Sequence, residues 1–343
     1  MFKYFYFYFI IKLEITKINK IKDLNKYNIN LIYDMSISPL TIGDAILFIM
    51  IGRFFLAKNK KLNFYLILET YKNNDLQYFK SNIDASNQVI SSIISITKEL
   101  LKDKNSNIIL CDWKKFERYN ARAGDNKYIL FEDFVLKRKP IYKFSFNLLN
   151  FLMFNENNEI VKKTLLSNSF KHKKPNNLKF DFSKKFITYG LRYNLYYGHN
   201  RNDSDKAFLE ITKILKKTFP KHSLVIISDE NTKIHFNKLA QKNNMKNIYF
   251  CKSETKSFIE DCMFILNSDF HFQVNGGASS IVAMMSCTPY LIMGEPYHEF
   301  FFEENKMTCW QNNKQHFQKI NIDVQLPAIK NSLINKFKKE NVL

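Results

Sequence analysis

The chain has 343 residues, 45% of them hydrophobic and 24% charged, the composition of a soluble globular protein long enough for two domains with their own cores. It carries 52 Lys and Arg against 32 Asp and Glu, a formal charge of +20, with only six arginines among the basic residues. The basic residues are spread along the whole chain without a zinc-finger spacing, an RNP-like segment or an Arg-rich arm, which argues against specific nucleic-acid recognition as the reason for the charge.

The charge then comes either from drift in an AT-rich coding sequence or from attraction to nucleotide, anionic lipid or acidic glycan. Five Cys at 111, 251, 262, 287 and 309 form no C-x-x-C pair and are an odd number, which argues against a disulfide framework or a structural zinc site and fits a reducing cytoplasm. The opening run Met1 to Ile11 is apolar, but Lys12 and Glu14 end it short of the roughly 20 residues of a membrane span. It has no small-residue cleavage site. It reads as a first strand or packed extension, as an interfacial contact with the inner face of the membrane, or as a missed signal or mistaken start.

In chain order, Asn30 to Met35 is strand-like, and Ser36 to Asp44 is a loop into an apolar helix ending near Lys58. Leu62 to Leu68 is the next strand, Gln88 to Leu101 a helix with Ile90, Ile93, Ile94 and Leu101 on one face, and Ile108 to Cys111 a short strand. Asp112 to Asp125 is polar and irregular, and Ile141 to Phe154 reads as one or two helices. Periodicity disappears across Lys162 to Lys185, which reads as a solvated linker. The chain then alternates: strands at 186–191, 223–228, 247–250, 269–273 and 289–293, with helices at 204–218, 231–242, 255–264 and 278–286. Ile329, Leu333, Ile334 and Phe337 share one face of a terminal helix. The expected organisation is a first Rossmann-like domain over 1–165, a linker over 166–185, a second over 186–310, and a tail with a helix over 311–343. Nearly continuous apolar strands separated by helix-length segments predict parallel sheets covered on both faces, with ligands at the carboxyl ends of the strands.

The polar residues of the second half collect at those ends. Asn275, Gly276, Gly277, Ala278, Ser279 and Ser280 lie between a strand and a helix, where small residues let an anion approach free backbone N–H groups; the alternative is a plain turn with a cap. Arg192 and Arg201 follow the first strand of this half, and an Arg in a Lys-rich chain suggests a planar fork for phosphate oxygens, against the alternative of surface ion pairs. Tyr193, Tyr196, Tyr197 and His199 between them suit a loop over a sugar or base. Ser228 and Asp229 either hydrogen-bond a base or ribose or cap the next helix. Asp203, Ser204 and Asp205 spell D-x-D, but they open a helix, so capping is expected and no metal. In the first half, Gly43 and Asp44 lie at a strand-to-helix turn, where Asp44 is a candidate general base or a cap. Glu295 and His298 are rival candidates, and His271 is expected in or near the sheet edge.

Residues Phe186 to Pro296 resemble the GT-B glycosyltransferases, and among them the bacterial surface-carbohydrate (lipopolysaccharide and capsule) transferases. The resemblance lies in Arg201 and Asn202 opening a helix, in Ile226, Ile227, Ser228 and Asp229 as a hydrophobic strand with a polar end, and in the strand, Gly/Ser turn, helix and Pro-started strand of Phe270 to Met293. Ile42, Gly43 and Asp44 are similar to the turn that carries the base of heptosyltransferase-like members. The His-x-Arg pattern of fucosyltransferases is not met, since Gly190 stands where His would be.

The resemblance implies two Rossmann-like domains facing across a cleft, a C-terminal helix packing back, and transfer of a sugar from a nucleotide sugar to a hydroxyl of a glycan or lipid-linked acceptor. It implies no cofactor, with Arg192, Arg201, Asn202, Ser228, Asp229, Asn275 to Ser280 and Glu295 on the donor and Asp44 as base. The implied place is the cytoplasm, with a peripheral contact at an anionic membrane left open. A sugar-nucleotide epimerase of the same fold and a non-catalytic polyanion-binding protein are the alternatives.

Overall fold

Parallel strands run through both parts of the chain. The computed structural model describes residues 29–35, 41–68, 83–112, 114–115, 128–130, 158–166, 178–193, 203–274, 278–286, 288–293 and 315–318, with some of them, Asp44 included, by backbone alone. Two compact units divide the chain: Met1–Leu40, Leu47–Asp75 and Thr97–Thr164 form one, and Thr41–Ile46, Leu76–Ile96 and Leu165–Leu343 the other.

The first unit holds strands β1 (Ile29–Asp34), β2 (Leu62–Ile67), β3 (Ser106–Cys111) and β4 (Tyr128–Leu130) in the order β3-β2-β1-β4, every pair parallel. β1 is buried along its whole length, as a strand covered on both faces must be. Helix α1 (Ile42–Ala57) is apolar on all sides, and each side chain from Ala45 to Phe55 is buried. Helix α2 (Ile83–Leu100) is amphipathic instead, with Ile93, Ile96 and Leu100 inside and Gln88, Ser91 and Lys98 exposed.

Arg53 interrupts the apolar surface of α1 for a structural reason. Its Nε donates to Thr164 O at 2.8 Å, Nη1 to Leu100 O at 2.8 Å and Nη2 to Lys163 O at 3.2 Å. One guanidinium thus serves the last carbonyls of α2 and of α3 (Asn158–Thr164), groups a helix cannot satisfy itself, and its charge complements the negative helix ends. Burial lowers its pKa to about 10. Across the sheet, Asn30, Asn63 and Asn107 sit in register, and Asn63 Nδ2 donates to Asn30 Oδ1 at 2.8 Å and Asn107 Nδ2 to Asn63 Oδ1 at 3.4 Å.

The second unit holds β5 (Phe186–Gly190), β6 (Ser223–Ile227), β7 (Ile248–Phe250), β8 (Phe270–Val274), β9 (Tyr290–Met293) and β10 (Gln315–Gln318), ordered β10-β9-β8-β5-β6-β7 and parallel throughout. Between them run α4 (Asp205–Thr218), α5 (Glu230–Lys242), α6 (Phe258–Asn267) and α7 (Ala278–Met284). Ser204 caps α4 by accepting from Ala207 N, and Ala207, Phe208, Ile211 and Leu215 form its buried stripe. Against it pack Tyr189, Phe236, Phe270 and Phe272, and burying a side chain of that size contributes about 1.5–3 kcal/mol. The fold class is α/β with two Rossmann-like units, as expected.

Several expectations need correction. α6 begins at Phe258, three residues late, because Ser257 and Glu260 form a reciprocal capping box that fixes its start. β4 was not foreseen, and β10 falls in the stretch expected to be a tail. The end of the expected linker is packed: Phe180 lies 5.1 Å from Phe186 and 5.2 Å from Phe264 between ring centroids, and Phe182 lies 4.7 Å from Phe264. His271 is at no edge, since β8 is interior and the side chain is fully buried. The opening apolar run, the helices expected over 141–154 and the terminal helix lie outside the described residues. Among the described residues, no helix is long and apolar enough to cross a membrane.

Candidate functional site

In the second sheet the strand order reverses between β5 and β8. From β5 the chain goes on to β6 and β7 on one side, while β8, β9 and β10 extend the sheet on the other. Connections that leave in opposite directions open a crevice at the carboxyl ends of those two strands, where open α/β sheets take their ligands. Leu191 to Tyr193 follow β5 there, α7 follows β8, and Ser228 and Asp229 follow β6.

The segment after β5 is clamped. Arg192 N donates to Asp203 Oδ2 at 2.8 Å, Asp203 N donates to Arg192 O at 2.9 Å, and Tyr189 Oη reaches Asp203 Oδ1 at 3.4 Å. Burial pushes the Asp203 carboxyl up to about 7, against the Arg192 N–H, the Tyr189 hydroxyl and the Arg192 charge, which all lower it. One residue on, Tyr193 N donates to Thr232 Oγ1 at 2.9 Å, and its ring stacks on His235 at 4.0 Å and 5°.

These contacts separate the members of D-x-D. Ser204 is the cap, as its neighbours were expected to be, but Asp203 is turned into the protein and Asp205 Oδ1 meets His235 Nε2 at 2.7 Å. Asp203 is therefore a structural clamp on the main chain at Arg192.

At the end of β6, Asp229 Oδ1 accepts from Thr232 N at 2.7 Å, the capping alternative. Ser228 Oγ is buried and has no hydrogen-bond partner among the described residues. After β8, Ala278 and Ser279 are half-buried and Ser280 is buried. Ser279 Oγ donates to Gln273 Oε1 at 2.8 Å, and the Gln273 side chain lies over Gly190, where a Cβ would come within 2.6 Å of Oε1. The first turn of α1 borders the same helix: a Cβ on Gly43 would lie 3.5 Å from Ile281 Cγ1 and 3.8 Å from Ala278 Cα. Asp44 follows Gly43 in that turn, with its side chain outside the description. Arg201, Asn202, Asn275, Gly276, Gly277, Glu295 and His298 also lie outside the described residues.

The structure thus brings Arg192, Ala278, Ser279 and Ser280 to neighbouring strand ends, and adds Asp203, Gly190 and Gln273, which the sequence did not place among the ligand-binding residues. The signal for the last of these was present. His271 and Gln273 alternate with Phe270, Phe272 and Val274, a polar face on a strand whose remaining residues are apolar. Among the described residues, no three His, Cys, Asp or Glu side chains group as a metal site.

No protein-family model matches the chain, and no curated protein matches it significantly. Solved structures similar to it include bacterial GT-B glycosyltransferases. ADP-heptose lipopolysaccharide heptosyltransferase II of E. coli is 10% identical with a TM-score of 0.48, over 90% of this chain and 99% of that one. A family 9 glycosyl transferase of Veillonella parvula is 8% identical with a TM-score of 0.42, over 92% and 90%. The UDP complex of MnaA from S. aureus is 13% identical with a TM-score of 0.43, over 90% and 88%. All three scores are below 0.5, and the activity has to be argued from this chain's own residues.

Proposed function

We propose that the chain is a glycosyltransferase that moves a sugar from a nucleotide-sugar donor to a hydroxyl of a surface-glycan or lipid-linked acceptor. The observation that supports this most is the position of Arg192 and the first turn of α7 at the neighbouring ends of β5 and β8, where the strand order reverses. The paired hydrogen bonds between Arg192 and Asp203 fix the main chain that carries the Arg192 side chain. Arg192 and Arg201, with the backbone N–H groups of Gly276 to Ser280, hold the donor diphosphate and stabilise the charge that gathers on it as the glycosidic bond breaks. Such groups need no metal, so the reaction is read as metal-independent.

Asp44 takes the proton of the acceptor hydroxyl as that oxygen bonds to the anomeric carbon and the bonding pair leaves with the diphosphate. Gly43 beside Ala278 and Ile281 supports this assignment, because it sets the turn carrying Asp44 against the helix that follows β8. The protein is placed in the cytoplasm, with its lysine-rich surface suited to an anionic membrane face where lipid-linked acceptors lie.

The test is calorimetric titration with UDP, ADP, GDP and CDP, followed by turnover of the sugar conjugate of whichever binds. Consumption that depends on an acceptor hydroxyl and survives excess chelator is expected. Conversion of the nucleotide sugar to an isomer without acceptor would make the protein an epimerase, and binding of polyanions but of no nucleotide would make it non-catalytic.

A further inference from the structure

A line of hydrogen-bonded side chains crosses the middle of the second sheet and ends at Ser279. In the register of β5 and β8, Thr188 stands beside His271 and Gly190 beside Gln273, so all four share one face. Thr188 Oγ1 lies 2.9 Å from His271 Nδ1, and His271 Nε2 lies 3.0 Å from Gln273 Oε1, which also accepts from Ser279 Oγ at 2.8 Å. Thr188 and His271 are fully buried, and Gln273 is 2% exposed.

The direction of these bonds follows from what each atom can do. Burial lowers the His271 pKa to about 4, so the ring is neutral near pH 7 and carries one N–H. Gln273 Oε1 cannot donate, which puts that hydrogen on Nε2 and makes Nδ1 the acceptor of the Thr188 hydroxyl. The amide is oriented by Gly190: the atom 2.6 Å from the missing Cβ faces a Cα–H, which a carbonyl oxygen accepts and an NH2 group would repel. Gln273 Oε1 therefore takes the hydroxyl hydrogen of Ser279, and Ser279 Oγ is left with its lone pairs for anything that approaches it.

We propose that Gln273 is a positioning residue that sets the polarity of Ser279, so that Ser279 accepts a hydrogen bond from a sugar or ribose hydroxyl of the ligand rather than donating to its phosphate. This adds a side-chain role to the expectation that the backbone N–H groups of this turn meet phosphate, and it rests on the reading of this strand end as a nucleotide-sugar site. Gly190 is part of the device, since any side chain there would displace the Gln273 oxygen.

The test uses the full chain, inorganic pyrophosphate as a hydroxyl-free probe, and the nucleotide sugar that the wild type binds. Ser279→Ala and Gln273→Met should each weaken the nucleotide sugar about threefold to tenfold, the effect of one hydrogen bond, and leave pyrophosphate unchanged. The double variant should bind no more weakly than Ser279→Ala alone. Equal weakening of pyrophosphate by Ser279→Ala, or additive effects of the two changes, overturns the inference. In the ligand-free wild type, the imidazole nitrogen shifts of His271 should report the Nε2–H tautomer, and the Nδ1–H tautomer overturns it without any ligand. A wild type that binds no nucleotide sugar sinks the proposed function and with it the ligand hydroxyl, whereas normal binding that ignores both substitutions sinks only the role of Gln273.

Discussion

Arg192 and Asp203 hold each other by the main chain: Arg192 N donates to the Asp203 carboxylate at 2.8 Å while Asp203 N donates to Arg192 O at 2.9 Å. The pair ties the second residue after β5 to the residue before the cap of α4. The Asp203 side chain is a fully buried carboxyl whose pKa is raised from 3.8 to about 7 by that burial.

A raised carboxyl has a definite linkage sign. Between pH 3.8 and about 7 the folded state keeps a proton that the unfolded state has lost, so this group's contribution is complete below pH 3.8 and is lost as pH rises toward 7. Asp203→Asn retains an oxygen to accept from Arg192 N and has no charge to bury. Its stability relative to the wild type should therefore rise from pH 4 to 7, with a limiting slope of about 1.4 kcal/mol per pH unit, and level off above. Urea unfolding of both proteins across that range measures it, and a difference independent of pH would show that Asp203 titrates normally.

Gly190→Ala should be disproportionately costly for so small a change. The new methyl would lie 2.6 Å from Gln273 Oε1 and 2.7 Å from Gln273 Cδ, and Gln273 is buried and bonded to His271 and Ser279, so it cannot swing aside freely. Overpacking of this kind costs about 1–3 kcal/mol. Shortening the opposing side chain should relieve it. Gly190→Ala with Gln273→Ala is expected to be more stable than the sum of the single losses, which thermal unfolding of the four proteins would test.

Arg53→Lys should destabilise strongly although the charge is kept. An ammonium cannot span the carbonyls of Leu100, Lys163 and Thr164 with the geometry of a guanidinium, and each carbonyl left without a partner costs about 1–3 kcal/mol. Denaturant unfolding should show a loss of at least about 2 kcal/mol. A loss under about 0.5 kcal/mol would mean that solvent replaces the fork.

The elements of the second sheet were legible because parallel strands buried on both faces are written as nearly continuous apolar runs, such as Leu224 to Ile227, and the helices between them as amphipathic stripes. β4 and β10 were not, since three or four residues such as Tyr128–Leu130 or Gln315–Gln318 carry no period of their own and become strands only through β1 and β9. At the site, the strand-end positions of Arg192 and Ser279 could be read locally. The burial of Asp203 could not, because it depends on Tyr189 fourteen residues away, and neither could the Gly190–Gln273 contact, which depends on the register of β5 against β8. The rule that an Arg in a Lys-rich chain marks a need for the planar fork also has a structural instance in Arg53, which shows that the rule finds geometry rather than function.

Arg192→Ala should leave the fold intact, because the bonds that clamp residue 192 to Asp203 run through its main chain, which the substitution keeps. Under the proposed function it removes a charge-assisted pair with the donor diphosphate, worth about 1.5–3 kcal/mol, or roughly tenfold to a hundredfold in nucleotide affinity. Calorimetry on the folded variant decides the matter. Unchanged affinity would remove Arg192 from the donor site and leave Arg201 as the candidate.

Asp44→Asn tests the proposed base. Asp44 stands in the first turn of α1. Asn keeps the size, and Asp44 is the third residue of α1 rather than its cap, so stability should change by less than about 1 kcal/mol. If Asp44 takes the acceptor proton, kcat should fall by about a hundredfold or more while the affinity for the nucleotide sugar is unchanged, because the substitution touches the acceptor and not the donor. The distinction from a structural role lies in that split. A structural role lost would lower stability and leave kcat of the surviving folded protein near normal, in which case the base must be sought at Glu295 or His298.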